Sequence, residues 1–454
     1  MNKIISSFKM HLFFSFIALT SIIHLNNAQS WSSLGIGTNN TVRAMIVYGG
    51  RLVAGGTFTT AGGVNVNRIA SWNGSSWQPL GIGMNGDVNA LAIYNGYLVA
   101  GGSFTSAGGV PANRIALWNG TIWTTLGTGL DGPVYSLAAV SNNLYVGGSF
   151  FNASGVSAVM IARWNGTWGP VGSGFDNIVH ALAQYGSYLI AGGAFINAGT
   201  TNVKRIAQWN GTLWFPLGLG VDDGAVYALK VYSSSLAVGG SFTTIGGATV
   251  NRIARWNGSS WNTLGSGFNG PVFGLYSSGS FIYAGGSFTF ADFQVASKVA
   301  IYYGTGWQSL GDGLTGNNAA AYSVYPYNGN IVFGGTFSLA GSTTANNVAS
   351  WDSPIGIKHI EGEFPAVYIL MQNYPNPFNP ATTIRFSVPE TNGEFINISV
   401  YNVLGKEIAV IVNNFLNPGN YEITFDASNL SSGTYIYRMT AGNYSETRRM
   451  VVMK

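Results

Sequence analysis

The sequence predicts an all-β fold: an array of four-stranded antiparallel units over most of the chain, then a smaller antiparallel β-sandwich. Three observations predict it. Gly-Gly-x-Phe recurs at Gly55, Gly101, Gly147, Gly192, Gly239, Gly285 and Gly334, about 46 residues apart. A period of that length marks supersecondary units too small to bury a core alone. The 454 residues include 64 glycines and 14% aromatics, the profile of short strands joined by tight turns. Every glutamate lies at Glu361 or later, so composition changes where the repeat stops.

The chain opens with the pattern of a secretory signal, assigned to residues 1–28. Lys3 and Lys9 supply the basic start, Leu12 to Ile23 an apolar stretch, and Asn26-Asn27-Ala28 a small-residue end. The apolar run is short for a bilayer span, and cleavage after Ala28 leaves Gln29 first. No later segment approaches a transmembrane stretch, so the expected mature protein is exported. Cysteine is absent, which excludes disulfides, thiolate chemistry and cysteine-ligated zinc. Lys and Arg number 20 against 16 Asp and Glu, dispersed along the chain, which argues against nucleic acid as a partner.

One unit, from Val88 to Gly127, serves for the rest. Val88 to Tyr94 alternates as a strand, and Asn95-Gly96 turns it. Tyr97 to Phe104 is a second strand ending in the glycine pair. A loop around Ala107-Gly108-Gly109 leads to a third, Arg114 to Trp118, and Asn119-Gly120 turns into a fourth, Ile122 to Gly127. The last hairpin recurs as Trp-Asn-Gly-x-x-Trp at Trp72/Trp77, Trp118/Trp123, Trp209/Trp214 and Trp256/Trp261, with a shorter copy at Trp164/Trp168. A two-residue Asn-Gly turn would set each Trp pair diagonally across the ladder on one face. The Asn-Gly-Ser/Thr triplets also read as glycosylation sequons, but their fixed place in a hairpin makes turn chemistry the better account.

Strand counting shows how the array ends. Fourth-strand Trp residues occur at 31, 77, 123, 168, 214, 261 and 307; third-strand aromatics occur at Trp72, Trp118, Trp164, Trp209, Trp256, Tyr302 and Trp351. The chain thus opens with a lone fourth strand and stops after a third. The two fragments complete one unit if the ends meet, which removes an exposed edge. Residues 29–352 are therefore expected to form a seven-bladed β-propeller closed by the N-terminal strand. The apolar run before Gly-Gly, with spaced aromatics after it, resembles kelch-type propellers. The fuller pattern, Leu-x-x-Gly-Gly-x-Phe then Ile-Ala-x-Trp-Asn-Gly-x-x-Trp-x-x-Leu-Gly, is closer still to Rax2-like repeats of surface proteins. It covers residues 31 to 352. That resemblance implies a fold and leaves the ligand open.

Residues 353–364 read as a linker and 365–454 as a compact set of short strands: Ile384 to Val388, Ile396 to Val403, Tyr421 to Phe425, Thr434 to Met439 and Arg448 to Lys454. Four ordered motifs stand out. They are Tyr374-Pro375-Asn376-Pro377-Phe378, Val400 to Lys406 with Gly405, Asp426 to Tyr435 with Gly433, and the basic-apolar end Arg449 to Lys454. Together they closely resemble the type A C-terminal sorting domain of the type IX secretion system of Gram-negative bacteria. The resemblance implies handling by the type IX machinery and an extracellular or outer-surface destination. It also implies removal of the domain, with the cargo linked to surface lipopolysaccharide or released.

Functional residues must vary against the repeat. The second residue of each first strand does so: Arg43, Asn89, Tyr135, His180, Tyr227, Phe273 and Tyr322. First strands of a propeller line its channel, so these side chains are expected at the channel mouth, where they could stack on and hydrogen-bond a sugar or peptide. Packing between blades is the competing use of such aromatics. Two other classes repeat too regularly to be read as a site. Asn39, Asn85, Asp87, Asp131, Asp176, Asp222, Asp223 and Asn269 sit in the loops from fourth to first strands. Arg68, Arg114, Arg205, Arg252 and Lys298 begin the third strands, with Met160 and Asn347 as exceptions. These could ring an anion site, but turn formation and local pairing explain them better.

No catalytic constellation, cofactor or metal is expected. His180 is the only histidine of residues 29–352, which hold eight Asp and no Glu or Cys. The expected protein is a monomeric, non-catalytic surface or secreted propeller that binds extracellular glycan or protein, in adhesion for instance. The alternatives are a polysaccharide hydrolase using channel-mouth Asp residues, such as the adjacent Asp222 and Asp223, and a structural surface component.

Overall fold

The computed structural model describes residues 30–454 apart from 233, 279–280, 305, 329, 353–356, 361–364, 390–393, 417 and 429. The expected signal segment, residues 1–28, lies outside the described residues. Everything described is strand or loop, with no helix among the described residues.

Between Trp31 and Trp351 the described residues form seven four-stranded antiparallel sheets, as the repeat predicts. In the first unit the order is Val42–Tyr48, Arg51–Gly56, Ile69–Trp72 and Trp77–Pro79. The last sheet takes Ala320–Tyr327, Asn330–Thr336 and Val348–Trp351 from one end of the repeat. Its fourth strand is Trp31–Ser33, with Trp31 opposite Trp351. These repeated sheets are propeller-like. The loop expected around Ala107-Gly108-Gly109 is itself a small hairpin, Ser106–Ala107 with Val110–Pro111, and each of the first six units carries its counterpart. Strands of two residues are too short to show alternation.

The core lies between neighbouring sheets. One cluster joins Val53 and Ile69 of the first unit to Leu98, Ala100 and Phe104 of the second. Another joins Val42 and Leu52 to Tyr327, Val332 and Val348 of the last. The first glycine of each pair makes this approach possible, and the second the close pairing within its own sheet. A Cβ on Gly55 would stand 2.5 Å from Val88 Cγ1 of the next unit, and one on Gly56 would stand 2.0 Å from the Thr41 carbonyl oxygen. A Cβ on Gly334 would likewise stand 2.5 Å from Val42 Cγ1.

The tryptophan pairs sit differently from the expected diagonal. Trp72 is directly opposite Trp77, with ring centroids 5.5 Å apart. Asn73 does not form a two-residue turn with Gly74. Its Oδ1 accepts from the backbone of Ser75 at 2.9 Å and Ser76 at 2.8 Å, capping a wider loop. The shorter copy also sets Trp164 directly opposite Trp168. Each fourth-strand indole then donates to a carbonyl of the preceding unit: Trp77 to Leu34 at 2.9 Å, Trp123 to Leu80 at 2.9 Å, Trp307 to Leu264 at 2.8 Å. Trp31 does the same to Leu310 at 3.1 Å. The ring is buried and its one donor satisfied, which makes it a strong inter-sheet rivet.

The C-terminal part is an antiparallel sandwich of two four-stranded sheets. Its core includes Ile384, Phe386, Ile398, Val400, Tyr437 and Met439, all fully buried or nearly so. Two expectations need correction. The stretch 353–364, read as a linker, contributes the strand Ile357–Ile360, which pairs with Asn420 to Ile423. Short and flanked by charge, it carried too little pattern to be read as a strand. The strand Glu407–Leu416 was not anticipated, though it pairs along most of Glu394–Asn402.

Candidate functional site

All seven variable residues occupy one backbone feature. In the first unit Val42 pairs with Gly56 and Ala44 with Gly55, leaving Arg43 as the extra residue of a β-bulge. The same irregularity isolates Asn89, Tyr135, His180, Tyr227, Phe273 and Tyr322. A bulge turns one side chain out of the pleat while the strand continues, a common device beside binding sites. The first strands stand next to one another from unit to unit, and Ala320–Tyr327 stands next to Val42–Tyr48.

The bulge residues consequently meet. Tyr135 and His180 have ring centroids 5.7 Å apart, His180 and Tyr227 5.2 Å, Tyr227 and Phe273 5.5 Å, and Phe273 and Tyr322 5.2 Å. Five rings form one arc of half-buried side chains. The polar members lie together. Arg43 Nη1 donates to Asn89 Oδ1 at 3.2 Å and Arg43 Nη2 lies 3.8 Å from Asp87, while Asn89 Nδ2 donates to the Val134 carbonyl at 3.0 Å. Burial holds the His180 imidazole below its ordinary pKa, so it is neutral at pH 7.

The loop Asp and Asn residues have another task. Asn39 Oδ1 accepts from the backbone of Thr59 at 2.9 Å and Thr60 at 3.0 Å; Asn85, Asp131, Asp176, Asp223 and Asn269 make the equivalent pair of bonds. For Asp131 and Asp176, burial pushes the carboxyl up, but hydrogen bonds from the Asn152 and Asn197 segments outweigh it and the net shift is downward. At Asp223 burial is likewise outweighed, by the hydroxyls and backbone of Thr243 and Thr244, which bring the carboxyl down to about 2. Asp222 pairs with Lys204 at 3.2 Å and accepts from Gly247 N at 2.8 Å. Arg68, Arg114, Arg205, Arg252, Lys298, Met160 and Asn347 share a left-handed backbone, with φ between 62° and 69°. Arg205 Nη1 donates to the carbonyls of Val221 and Asp222, and Arg252 Nη1 to that of Phe268. Apart from Asp87, the loop acids and amides are thus committed to neighbouring loops, as are Arg205 and Arg252, whereas the buried Nε atoms of Arg68 and Arg114 have no hydrogen-bond partner.

A second tier escaped the sequence reading. Three residues after each bulge stand Ile46, Ala92, Ala138, Ala183, Lys230, Tyr276 and Tyr325. Lys230 Nζ lies 5.1 Å above the Tyr276 ring, and Tyr276 lies 6.5 Å from Tyr325. The signal was present as variation against the repeat. It was masked because alanine, isoleucine and tyrosine at this position also read as ordinary core.

In the sandwich, the motif residues are built into its end. Phe378 is buried and exchanges backbone bonds with the last strand, accepting from Met453 N at 2.9 Å and donating to the Val451 carbonyl at 3.0 Å. Asn376 Oδ1 accepts from Val451 N at 2.9 Å, and Tyr374 above it is exposed. Pro375 offers its carbonyl to Thr382 Oγ1 at 2.7 Å. Gly405, at φ 78°, lets the turn after Asn402 close under exposed Val403 and Leu404. Tyr435 donates to the Ser431 carbonyl at 3.1 Å, just before Gly433, and Lys454 Nζ to the Ser428 carbonyl at 2.7 Å.

Residues 372–453 match the family model of the secretion system C-terminal sorting domain. The C-terminal unit is therefore a type IX sorting domain, and the chain is one handled by that machinery. It is exported to the cell surface or secreted, in a bacterium of the Bacteroidetes kind. No curated protein matches the chain.

Proposed function

We propose that the protein is a closed seven-bladed β-propeller of kelch or Rax2-like type. In this reading it is delivered to the cell surface to bind an extracellular glycan, or failing that a protein, at the mouth of its channel. Three contacts support closure. Trp31–Ser33 completes the last sheet, and at the junction of last and first units the Trp77 indole bond to Leu34 and the Gly334–Val42 approach repeat what interior junctions have. Residues 1–28 are proposed as the cleaved signal for the inner membrane.

The observation that carries the binding reading is the coincidence of variation and bulge. The seven positions singled out by their variation on the first strands are the seven that the backbone turns aside. A platform of contiguous rings beside one Arg and one Asn suits a sugar face with hydrogen-bonding hydroxyls. The non-catalytic reading is supported by the loop carboxylates. Asp131, Asp176 and Asp223 are held low by amides they cannot release without undoing a turn, so none is poised as a general acid at neutral pH.

The test is a glycan array probed with the full chain, followed by calorimetry. Binding without cleavage, weakened at least about tenfold in Tyr135→Ala and Tyr227→Ala, is expected. Glycan cleavage would return the hydrolase to consideration. Absence of any glycan or surface-protein partner that depends on these tyrosines would leave a structural role.

A further inference from the structure

The second tier contains a charge without a counter-charge. Lys230 is half-buried on Val226–Tyr232, and its contact among the described residues is the Tyr276 ring, with no carboxylate within ion-pairing distance. An ammonium taken partly out of water costs stability unless something favours it. A ring face at 5.1 Å supplies only part of that. Burial accordingly holds Lys230 below the ordinary lysine range, and pushes the Tyr276 and Tyr325 hydroxyls up so that both stay protonated. A half-buried lysine on an inner strand with a ring face but no counter-charge is costly for scaffold and useful for a ligand.

Its place fits a ligand held at the mouth. Lys230 follows Tyr227 by three residues on one strand, roughly 10 Å along it at ordinary strand rise. The equivalent positions on the second, third and fourth units are the small residues Ala92, Ala138 and Ala183, so no other side chain of this tier from those units competes for the Lys230 ammonium. We propose that Lys230, beside Tyr276 and Tyr325, forms a carboxylate subsite below the aromatic mouth, so that the ligand is an acidic, uronate-containing glycan. The proposal deepens the glycan reading of the mouth and rests on it. The rings favour a sugar over an acidic peptide because aromatic faces recur around the arc, whereas its one cation and one amide, Arg43 and Asn89, stand together at one side.

The experiment titrates the full chain with oligogalacturonate, with the same oligomer after carboxyl reduction, and with poly-glutamate, at low and high salt. The acidic oligomer is expected to bind at least about tenfold more tightly than its reduced form, the gap closing as salt rises. Lys230→Met should erase the gap while keeping affinity for the reduced form, and Lys230→Arg should retain it. If Lys230→Met lowers the melting temperature, wild-type protein gives the same answer: NMR of isotope-labelled lysine, read at the ε-methylene beside the amine, should show the Lys230 amine titrating upward when the acidic oligomer is bound. Equal affinity for both oligomers, or a gap untouched by Lys230→Met, overturns the subsite and leaves the mouth reading standing. Tighter binding of poly-glutamate overturns the glycan. Acidic binding lost in Lys230→Met but indifferent to Tyr135→Ala keeps the subsite and overturns the mouth.

Discussion

The outer and inner strands of each unit follow opposite rules. On the outer strands the same tryptophan makes the same bond to the preceding unit each time, whereas on the inner strand the bulge residue differs in nearly every unit. What repeats builds the buried core between sheets, and the bulge residues that vary stand outside that core and meet one another. The contrast separates scaffold from candidate site without reference to any ligand. It also explains why a half-buried arc of rings on the inner strands need not be read as core, since the core between sheets is already complete.

The sharpest way to break the comparison is to remove a rivet. Trp123→Ala should lower stability by about 3–5 kcal/mol, read from the denaturant midpoint. Trp31→Ala should cost the same if the N-terminal strand is a working member of the last sheet. A loss below about 1 kcal/mol for Trp31 alone would make that strand an ornament and the array open. Gly335→Ala comes next. Its Cβ would stand 2.0 Å from the Ala320 carbonyl oxygen, so a loss of about 1–3 kcal/mol is expected from forced backbone displacement.

The loop acids give a smaller effect with a built-in control. Asp223→Ala should cost about 1–2 kcal/mol by orphaning two backbone amides, whereas Asp223→Asn should be nearly neutral at pH 7, because Asn39, Asn85 and Asn269 already do this work. The acid limb tells them apart. With the folded carboxyl at about 2 against 3.8 in an ordinary one, its stabilisation is complete above the ordinary value. It drains away as pH falls from there through about 2, so Asp223→Asn should flatten that part of the stability profile, followed by fluorescence. The smallest effect concerns Phe293, 80% exposed at φ 64°, where four other units place Gly63, Gly109, Gly155 and Gly247. Phe293→Gly should stabilise by less than about 1 kcal/mol, relief of left-handed strain being partly offset by the flexibility of glycine. A measured loss would give Phe293 a packing role.

The strands of the repeat were legible because Val88 to Tyr94 alternates and Asn95-Gly96 punctuates. The sorting unit was legible because its motifs are long and ordered. The bulges were not legible, since an extra residue leaves apolar alternation looking merely irregular; variation alone pointed to Tyr135 and its counterparts. Directly opposed tryptophans were missed because Asn73 caps the loop with its side chain, a choice the letters Asn-Gly do not distinguish from a tight turn. Lys230 was missed for want of the one fact that isolates it, the absence of a nearby acid among the described residues, which belongs to three dimensions.

The pairing of Trp31–Ser33 with Val348–Trp351 also has a consequence in time. Ser30 Oγ donates to Asp352 at 2.7 Å across 322 positions of chain. A contact so distant in sequence forms late, because the whole intervening loop must be closed before it is rewarded. While the chain crosses a membrane, its last sheet stays one strand short until residues 31–33 and 348–351 stand on the same side, so that sheet cannot be completed by a partly transported chain.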